Sequence, residues 1–309
     1  MFDLFFRKKQ KVALVLGGGG ARGIAHLGVL KFFEERGYKF DFIVGTSAGG
    51  VFGAFYLKYL DVSKAWVELK EEVYKRKEIS ENLSKIVENN EKISLLSKFR
   101  EKLYEARILF KEGILENDLL KESYGIMFKN LKYIKDLKGK IFIVATDLLT
   151  GKDVVFSQGE LLPALMATSA LPGIFPPVDY KGFYLIDGGS TQKLPTIIAK
   201  KLGADKVLAV DVGSNLNKRE KHHPTGAKII IRIEDVVSYR LHLTNVKHAD
   251  LLIRPNIEKF KWYDFNKYEE IFELGYKAAT NIDNKIKEFF KSSKAKPICS
   301  CCSEDFILI

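Results

Sequence analysis

The stretch "FDFIVGTSAGGVFGAFYLKYL", residues Phe40 to Leu60, decides the fold of this chain. Its first part is an apolar run typical of a buried strand, and its second part has the small and apolar residues of a packed helix. Between them, Gly45 to Gly49 fit the pattern G-x-S-x-G, in which a sharp turn presents a serine hydroxyl at the carboxyl end of a strand. This context favours Ser47 as a nucleophile over a serine that only caps the helix.

A similar strand–helix unit comes before this stretch. "KVALVLGGGG" reads as a buried strand that ends in glycines, and "ARGIAHLGVLKFFEERG" reads as a helix that stops at Gly37. Two such units in succession predict a parallel sheet with right-handed crossovers. The rhythm resumes from Lys140 with "KIFIVATDL", "FYLIDGGS" and "DKVLAVDVG", followed by the shorter strand candidates "AKIIIRI" and "DLLIRP". The expected fold is a three-layer α/β/α sandwich with a mainly parallel sheet.

The chain is expected to form one domain over residues 1–309. Residues 61–138 are rich in Lys, Glu and Leu with helical periodicity, which indicates a helical insertion that covers one end of the sheet. One long helix is expected over residues 266–291, and a flexible tail over 292–309. The opening "MFDLFFRKK" reads as a frayed terminus, with a short interfacial anchor as the alternative.

Composition narrows the partners and the compartment. The formal charge of +11 predicts attraction to polyanions, and without a recognisable nucleic-acid module an anionic membrane surface is favoured over nucleic acid. The alternative is a Lys- and Glu-rich surface suited to a hot habitat. No apolar run approaches the length of a membrane span. The three cysteines fall within the last eleven residues, so no disulfide framework is expected, and we predict a cytoplasmic protein peripheral to the inner face of the membrane.

The run Gly17 to Gly20 stands between a strand and a helix, where backbone N–H groups can bind an anion. One interpretation is a nucleotide phosphate site, but the P-loop pattern is missing and the dinucleotide pattern fits only loosely. The other is an oxyanion hole, which needs two N–H groups about 3 Å from a developing negative charge. Adjacent parallel strands would place this loop beside Ser47.

The base that would take the serine proton has several candidates among the titratable residues. His242 and His248 come late enough for a Ser-His-Asp order, but neither follows a recognisable strand, so a structural role is favoured for both. Asp187 ends the strand "FYLID" and is followed by two glycines, which makes it the stronger candidate. The alternative is that Asp187 only forms an Asx-turn.

Four ordered motifs carry a family resemblance: "LGGGGARGIAHLGVL", "IVGTSAGGVFGAF", "ATSALPGIFPPV" and "LIDGG". In this order and spacing the chain resembles the patatin-like phospholipases, most closely bacterial members similar to the catalytic domain of neuropathy target esterase. The resemblance runs from about Lys11 to Val212 without the helical insertion. It implies a hydrolase of phospholipid or lysophospholipid acyl esters that needs no metal or cofactor.

The resemblance also implies roles for particular residues. Ser47 and Asp187 would form a catalytic dyad, and the N–H groups of Gly18, Gly19 and Gly20 would form the oxyanion hole, above all the last two. Two residues would support this loop or its helix: Arg22, which would steady the glycines, and His26, which would be structural. The loop "ALPGIFPPV" would line the acyl pocket.

The sequence departs from the family pattern after "DGG". Relatives often have two asparagines where this chain has Gln192 and Lys193, which places a cation near Asp187. Lys193 would then lower the basicity of Asp187 or attract a phosphate. Two rival functions stay open beside hydrolysis: acyl transfer to an alcohol through the same dyad, and lipid binding without turnover.

Overall fold

A computed structural model describes residues 10–75, 113, 115–216, 226–296 and 306–309. Within these residues the chain builds one mixed sheet with helices on both of its faces. The strands are β1 Val12–Leu16, β2 Phe42–Thr46, β3 Ile141–Asp147, β4 Asp153–Phe156, β5 Val178–Tyr180, β6 Phe183–Asp187, β7 Lys206–Val210, β8 Leu251–Ile253 and β9 Ile307–Leu308. The helices are α1 Ala25–Glu35, α2 Ala48–Tyr59, α3 Val62–Lys75, α4 Asn117–Met127, α5 Leu161–Ser169, α6 Thr196–Lys201, α7 Gly226–Lys247, α8 Tyr268–Thr280 and α9 Asp283–Lys291.

The strands follow the order β5-β6-β3-β2-β1-β7-β8, and β4 joins β3 on its own branch. The five strands from β3 to β8 in this order run parallel, whereas β4 and β6 pair with β3 in the antiparallel sense. A parallel core arises because a helix returns the chain to the same edge between successive strands. The predicted α/β/α fold with a mainly parallel sheet is therefore confirmed.

Strand β1 shows how the core is divided between the two faces. Leu14 and Leu16 pack into the larger apolar cluster together with α1, α2 and α8, whereas Ala13 and Val15 pack into a smaller cluster with α6. Successive side chains of a strand point to opposite faces, so a strand covered on both sides reads as a continuous apolar run. This explains the sequence "VALVL".

Three sequence expectations need correction or completion. The stretch "AKIIIRI" is not a strand but the start of α7, in which Ile229, Ile230 and Ile233 are exposed. A run of apolar β-branched residues favours a strand, but here these residues lie on the exposed side of a helix. The expected helix over 266–291 is two helices, α8 and α9, which meet at Asn281–Ile282. The end of the tail pairs with β4 as strand β9, so residues 307–308 belong to the sheet.

Other expectations fall outside the described residues. These are the N-terminal segment, residues 76–112 of the predicted helical insertion, and the cysteines at 299, 301 and 302. Among the described residues, no helix combines the length and apolar character needed to cross a bilayer.

Candidate active site

Sheet register brings together groups that are far apart in the sequence. Thr46 of β2 pairs with Val144 of β3, and the next residue of β3, Ala145, pairs with Asp187 of β6. The residue after Thr46 is Ser47, which therefore lies at the same height of the sheet as Asp187. Gly18 completes this level on the other side, because a Cβ built on it would lie 3.2 Å from Ser47 Cβ. We call this level, with Gly18, Ser47, Ala145 and Asp187, the active-site row.

Ser47 occupies a strained turn between β2 and α2. Its backbone has φ 52° and ψ −127°, a conformation that residues other than glycine rarely adopt. The turn is tight because α2 begins directly after it: a Cβ on Gly45 would lie 2.6 Å from the backbone of Gly49, and one on Gly49 would collide with the carbonyl of Leu16. The glycines of G-x-S-x-G are thus required because the backbones approach too closely for a side chain.

Thr168 anchors this turn from α5. The backbone N–H of Ser47 donates to Thr168 Oγ1 at 2.7 Å, and that hydroxyl donates to the carbonyl of Val144 at 2.5 Å. Thr168 is fully buried, so both hydrogen bonds are shielded from water. Sequence reasoning assigned no role to Thr168, although it lies in the motif "ATSALPGIFPPV" that carried the resemblance.

The Ser47 side chain lies close enough to Asp187 to lower the pKa of its carboxyl group. The carboxylate is 4% exposed, and the N–H of Gly189 donates to its Oδ1 at 2.6 Å. Burial raises the pKa of Asp187 to about 6, against the opposing effects of Ser47, Gly189 and the positive charge of Lys193. The carboxylate is therefore ionised at neutral pH and more basic than an exposed aspartate.

Tyr124 is a second residue near Asp187 that sequence reasoning did not single out. It lies on α4, and its hydroxyl donates to Ser169 Oγ at 2.7 Å. Burial raises the pKa of Tyr124 to about 12, and the charge of Asp187 adds to the effect. The helix α4, at the end of the predicted insertion, thus places a neutral phenol within the electrostatic reach of the carboxylate.

The glycine loop, Gly17–Gly20, differs from residue to residue in how its N–H groups are used. The N–H of Gly17 donates to Val210 O at 3.0 Å and that of Gly18 to Lys193 O at 2.9 Å. In the described part of the chain, no acceptor binds the N–H of Gly19 or Gly20. Because the N–H of Gly18 is occupied, those of Gly19 and Gly20 are the two in the glycine loop that are left to bind an anion.

Arg22 holds this loop in place. Its backbone N–H and its side-chain Nε both donate to the carbonyl of Gly19 at 3.3 Å. In a planar trans peptide the carbonyl and the following N–H point in opposite directions, so the N–H of Gly20 points away from Arg22. Arg22 is buried, which lowers its pKa against the raising effects of Asp211 and Glu258.

The described histidines all bind groups other than Ser47. His26 Nε2 is 2.8 Å from the carbonyl of Gly17, and burial lowers its pKa to about 4, so the ring is neutral behind the glycine loop. His242 Nε2 is 3.1 Å from Asp211 Oδ2, and His248 Nδ1 is 3.1 Å from Thr244 O. His242 and His248, the late candidates of a Ser-His-Asp order, therefore bind partners that are not part of the active-site row.

Asp211 lies behind the glycine loop and binds two nitrogen-containing side chains, those of His242 and Arg254. Arg254 Nε donates to Asp211 Oδ2 at 3.0 Å, beside His242. Burial acts to raise the pKa of Asp211, but His242 and Arg254 outweigh it and hold that pKa well below its usual range. A permanent negative charge thus lies near Arg22, the residue that fixes Gly19.

A serine in a strained strand-to-helix turn, next to a buried carboxylate and to backbone N–H groups that bind no acceptor among the described residues, is typical of serine hydrolases that use a carboxylate as base. The sequence matches the Patatin family, described as patatin-like phospholipase, over residues 14–200. The chain belongs to the patatin-like phospholipase family, as the resemblance predicted.

Curated relatives are much longer proteins. The chain is 31% identical to lysophospholipase NTE1 of Candida glabrata over 86% of its own length and 16% of the yeast protein. It is 29% identical to patatin-like phospholipase domain-containing protein 6 of Mus musculus over 86% of this chain and 20% of the mouse protein. The chain therefore spans about a sixth to a fifth of these relatives. Among solved structures, VipD from Legionella pneumophila is similar with 14% identity and a TM-score of 0.47, covering 90% of this chain and 67% of that one.

Proposed function

We propose that this protein is a serine hydrolase that cleaves acyl esters of phospholipids or lysophospholipids with Ser47 and Asp187 as a catalytic dyad. The observation that carries the proposal is the position of Ser47 beside Asp187, a buried carboxylate at the same level of the sheet whose pKa is raised to about 6. Such a group is ionised at neutral pH and basic enough to accept a serine proton in the transition state. Family membership and the printed names of the relatives support a lipid ester as substrate.

In the first half-reaction, Ser47 Oγ attacks the ester carbonyl carbon while its proton passes to the Asp187 carboxylate. The carbonyl oxygen becomes negative and accepts hydrogen bonds from the N–H groups of Gly19 and Gly20, which we assign as the oxyanion hole. The tetrahedral intermediate collapses, the bond to the leaving alcohol breaks, and Asp187 returns the proton to that alcohol. An acyl-enzyme on Ser47 remains.

The second half-reaction repeats these steps with water as the nucleophile. Asp187 accepts a proton from the attacking water, and the oxyanion forms again beside Gly19 and Gly20. Collapse breaks the bond to Ser47 Oγ, which takes the proton from Asp187, and the fatty acid leaves. Every proton in this scheme moves between the substrate, Ser47 and Asp187, so no other general base is required.

Fluorophosphonate labelling with peptide mass spectrometry tests the activated serine. We expect a stoichiometric adduct on Ser47 that is lost in Ser47→Ala and reduced at least about hundredfold in rate in Asp187→Asn, because the base is removed. Ser157→Ala and Asp179→Asn are the matched controls, since both lie away from the active-site row. Absence of any adduct in the wild type would contradict the dyad and leave lipid binding without turnover as the function.

Product analysis separates hydrolysis from acyl transfer. With a lysophospholipid as substrate, we expect free fatty acid as the main acyl product, with or without an added alcohol acceptor. Transfer of most of the acyl group to the acceptor at low acceptor concentration would instead identify an acyltransferase that uses the same acyl-enzyme. A Ser47→Ala sample measured in parallel shows how much product arises without the enzyme.

A further inference from the structure

Helix α7 buries its polar face and exposes its apolar face, the reverse of an ordinary surface helix. The face packed on the body carries Ser238, His242 and Asn245, which are 2–4% exposed. The opposite face is apolar and open to solvent, whereas a surface helix normally buries its apolar side. Its exposed apolar residues are Ile229, Ile230, Ile233, Val237, Leu241 and Leu243, with exposed fractions between 42% and 68%.

Polar contacts attach α7 to the loops that build the active site. Ser238 Oγ donates to the carbonyl of Gly189 at 3.2 Å, two residues after Asp187. Asn245 Nδ2 donates to Gln192 Oε1 at 3.1 Å. His242 binds Asp211, as described above. The buried face of α7 is therefore polar because it satisfies hydrogen-bonding groups of these loops, and its attachment to the body does not use its apolar residues.

The first half of α7 projects beyond the strand ends at which the active-site row lies. Ser238 contacts Gly189 near this row, whereas Asp250, which follows the helix, donates from its N–H to Val207 at the start of β7. The helix thus runs antiparallel to the strands, and Gly226 lies about 18 Å before Ser238 along its axis, at 1.5 Å per residue. The exposed isoleucines are on this projecting half.

The apolar residues form one continuous stripe. Ile229, Ile233, Val237 and Leu241 follow each other at intervals of four, and Ile230 adjoins them. We call these five residues the apolar stripe. A contiguous apolar surface of this kind on a protein marks a site of interaction with another molecule or with a membrane.

The charges near the stripe identify its occupant. Exposed Arg240 lies one turn from both Val237 and Leu243. Of the two acidic residues of α7, Asp235 pairs with Arg232, and the charge of Glu234 is opposed by that of Lys193. Apolar side chains beside an exposed arginine fit the boundary between acyl chains and anionic headgroups. The net charge of +11 acts in the same direction.

We infer that α7 docks the protein on an anionic lipid bilayer, with the apolar stripe inserted among the headgroups and Arg240 against the phosphates. The inference rests on the proposed function for its account of why a lipid surface meets the active site. Docking through the projecting half of α7 places the bilayer at the edge of the sheet that carries Ser47. A lipid ester then reaches the site from the surface on which the helix lies.

Vesicle flotation with the Ser47→Ala protein tests docking without any requirement for turnover. We expect binding to phosphatidylcholine vesicles that contain phosphatidylglycerol, weak binding to pure phosphatidylcholine, and loss of binding at high salt. Ile230→Gln/Ile233→Gln in the same background is expected to weaken the partition by about tenfold or more, because two inserted side chains are lost. Unaltered partition of this double variant would overturn the inference.

The matched control is Leu60→Gln/Val67→Gln. These residues are 44% and 58% exposed, similar to the stripe, and α2 carries the chain from Ser47 to the opposite edge of the sheet before Leu60. We expect the control to bind vesicles as strongly as the Ser47→Ala parent. An equal loss of vesicle binding in both double variants would overturn the assignment to α7. Should the α7 double variant have a lowered melting temperature, Arg240→Gln replaces it and must selectively weaken binding to anionic vesicles.

A second copy of the chain is the main alternative occupant. Sedimentation velocity without lipid decides this point: a dimer that Ile230→Gln/Ile233→Gln converts to a monomer, with vesicle binding unchanged, would overturn lipid docking. Failure of docking with retained fluorophosphonate labelling would leave the proposed function intact. Retained docking without labelling would remove the hydrolase and keep the lipid surface.

Discussion

At Asp187 the burial that makes the carboxylate more basic also defines a pH range for the proposed hydrolysis. The carboxylate must be ionised to accept the serine proton, and its pKa is about 6 because burial disfavours the charge. We expect kcat/KM on a soluble ester to rise with pH through about 6 and to level off above it. A profile that is flat between pH 5 and 7 would contradict Asp187 as the base.

Lys193 offers a check on the same group. Its positive charge lowers the pKa of Asp187, so Lys193→Met is expected to move the midpoint of the pH profile upwards. Lys181→Met, on the turn between β5 and β6, is the control and should leave the midpoint unchanged. This tests the sequence-based expectation that the cation after "DGG" lowers the basicity of the dyad.

The raised pKa of Asp187 also has a consequence for stability. The folded protein holds this proton more tightly than the unfolded chain, whose ordinary value is 3.8, so this residue makes the fold less stable as pH rises from about 4 to about 6. Asp187→Asn, which mimics the protonated form, is expected to raise the free energy of unfolding at pH 8 by up to about 3 kcal/mol, at 1.36 kcal/mol per unit.

The comparison must be repeated at low pH. Near pH 3 both states of the wild type hold the proton, so the advantage of Asp187→Asn should disappear. Asp179→Asn, on the neighbouring strand β5, should show no such dependence. Urea unfolding at both pH values measures the difference, and a variant that is less stable than the wild type at pH 8 would refute the argument.

At the scale of elements, the turn from β2 into α2 depends on close contact between main chains. A methyl group on Gly49 would meet the carbonyl of Leu16, which belongs to β1 and cannot move aside without breaking the ladder. We expect Gly49→Ala to lower the free energy of unfolding by about 3 kcal/mol or more, measured by urea denaturation.

The matched control is Gly125→Ala in α4, where nothing lies within 4 Å of the added methyl group. Alanine is a better helix former than glycine, so this variant should gain about 0.5–1 kcal/mol. Equal effects of the two substitutions would mean that the contact with Leu16 does not determine the geometry of the serine turn.

Elements also show where sequence patterns mislead. In α7 the run of isoleucines suggested a strand, because patterns of apolar residues are interpreted on the assumption that such residues are buried. Here they face outwards, and polar residues face the body. Which face of this helix is buried becomes clear only from its hydrogen bonds to Gly189, Gln192 and Asp211.

At the scale of the whole molecule, one sheet aligns groups from four strands. The register of β1, β2, β3 and β6 sets Gly18, Ser47 and Asp187 at the same height, although more than half of the described chain lies between the first and the last. The projecting half of α7 lies beyond this height. If both proposals hold, the sheet edge that carries the dyad is also the edge that meets the lipid.

The sequence by itself determined the α/β class, the two glycine turns, the family and the candidates Ser47 and Asp187. These are local or ordered signals: strand–turn–helix patterns, and glycines where backbones come too close for a side chain. Only the tertiary structure decided which N–H groups of the glycine loop are free, that Thr168 holds the serine turn, and which face of α7 is exposed. Each of these depends on a partner distant in the sequence, and no local pattern of residues encodes that partner.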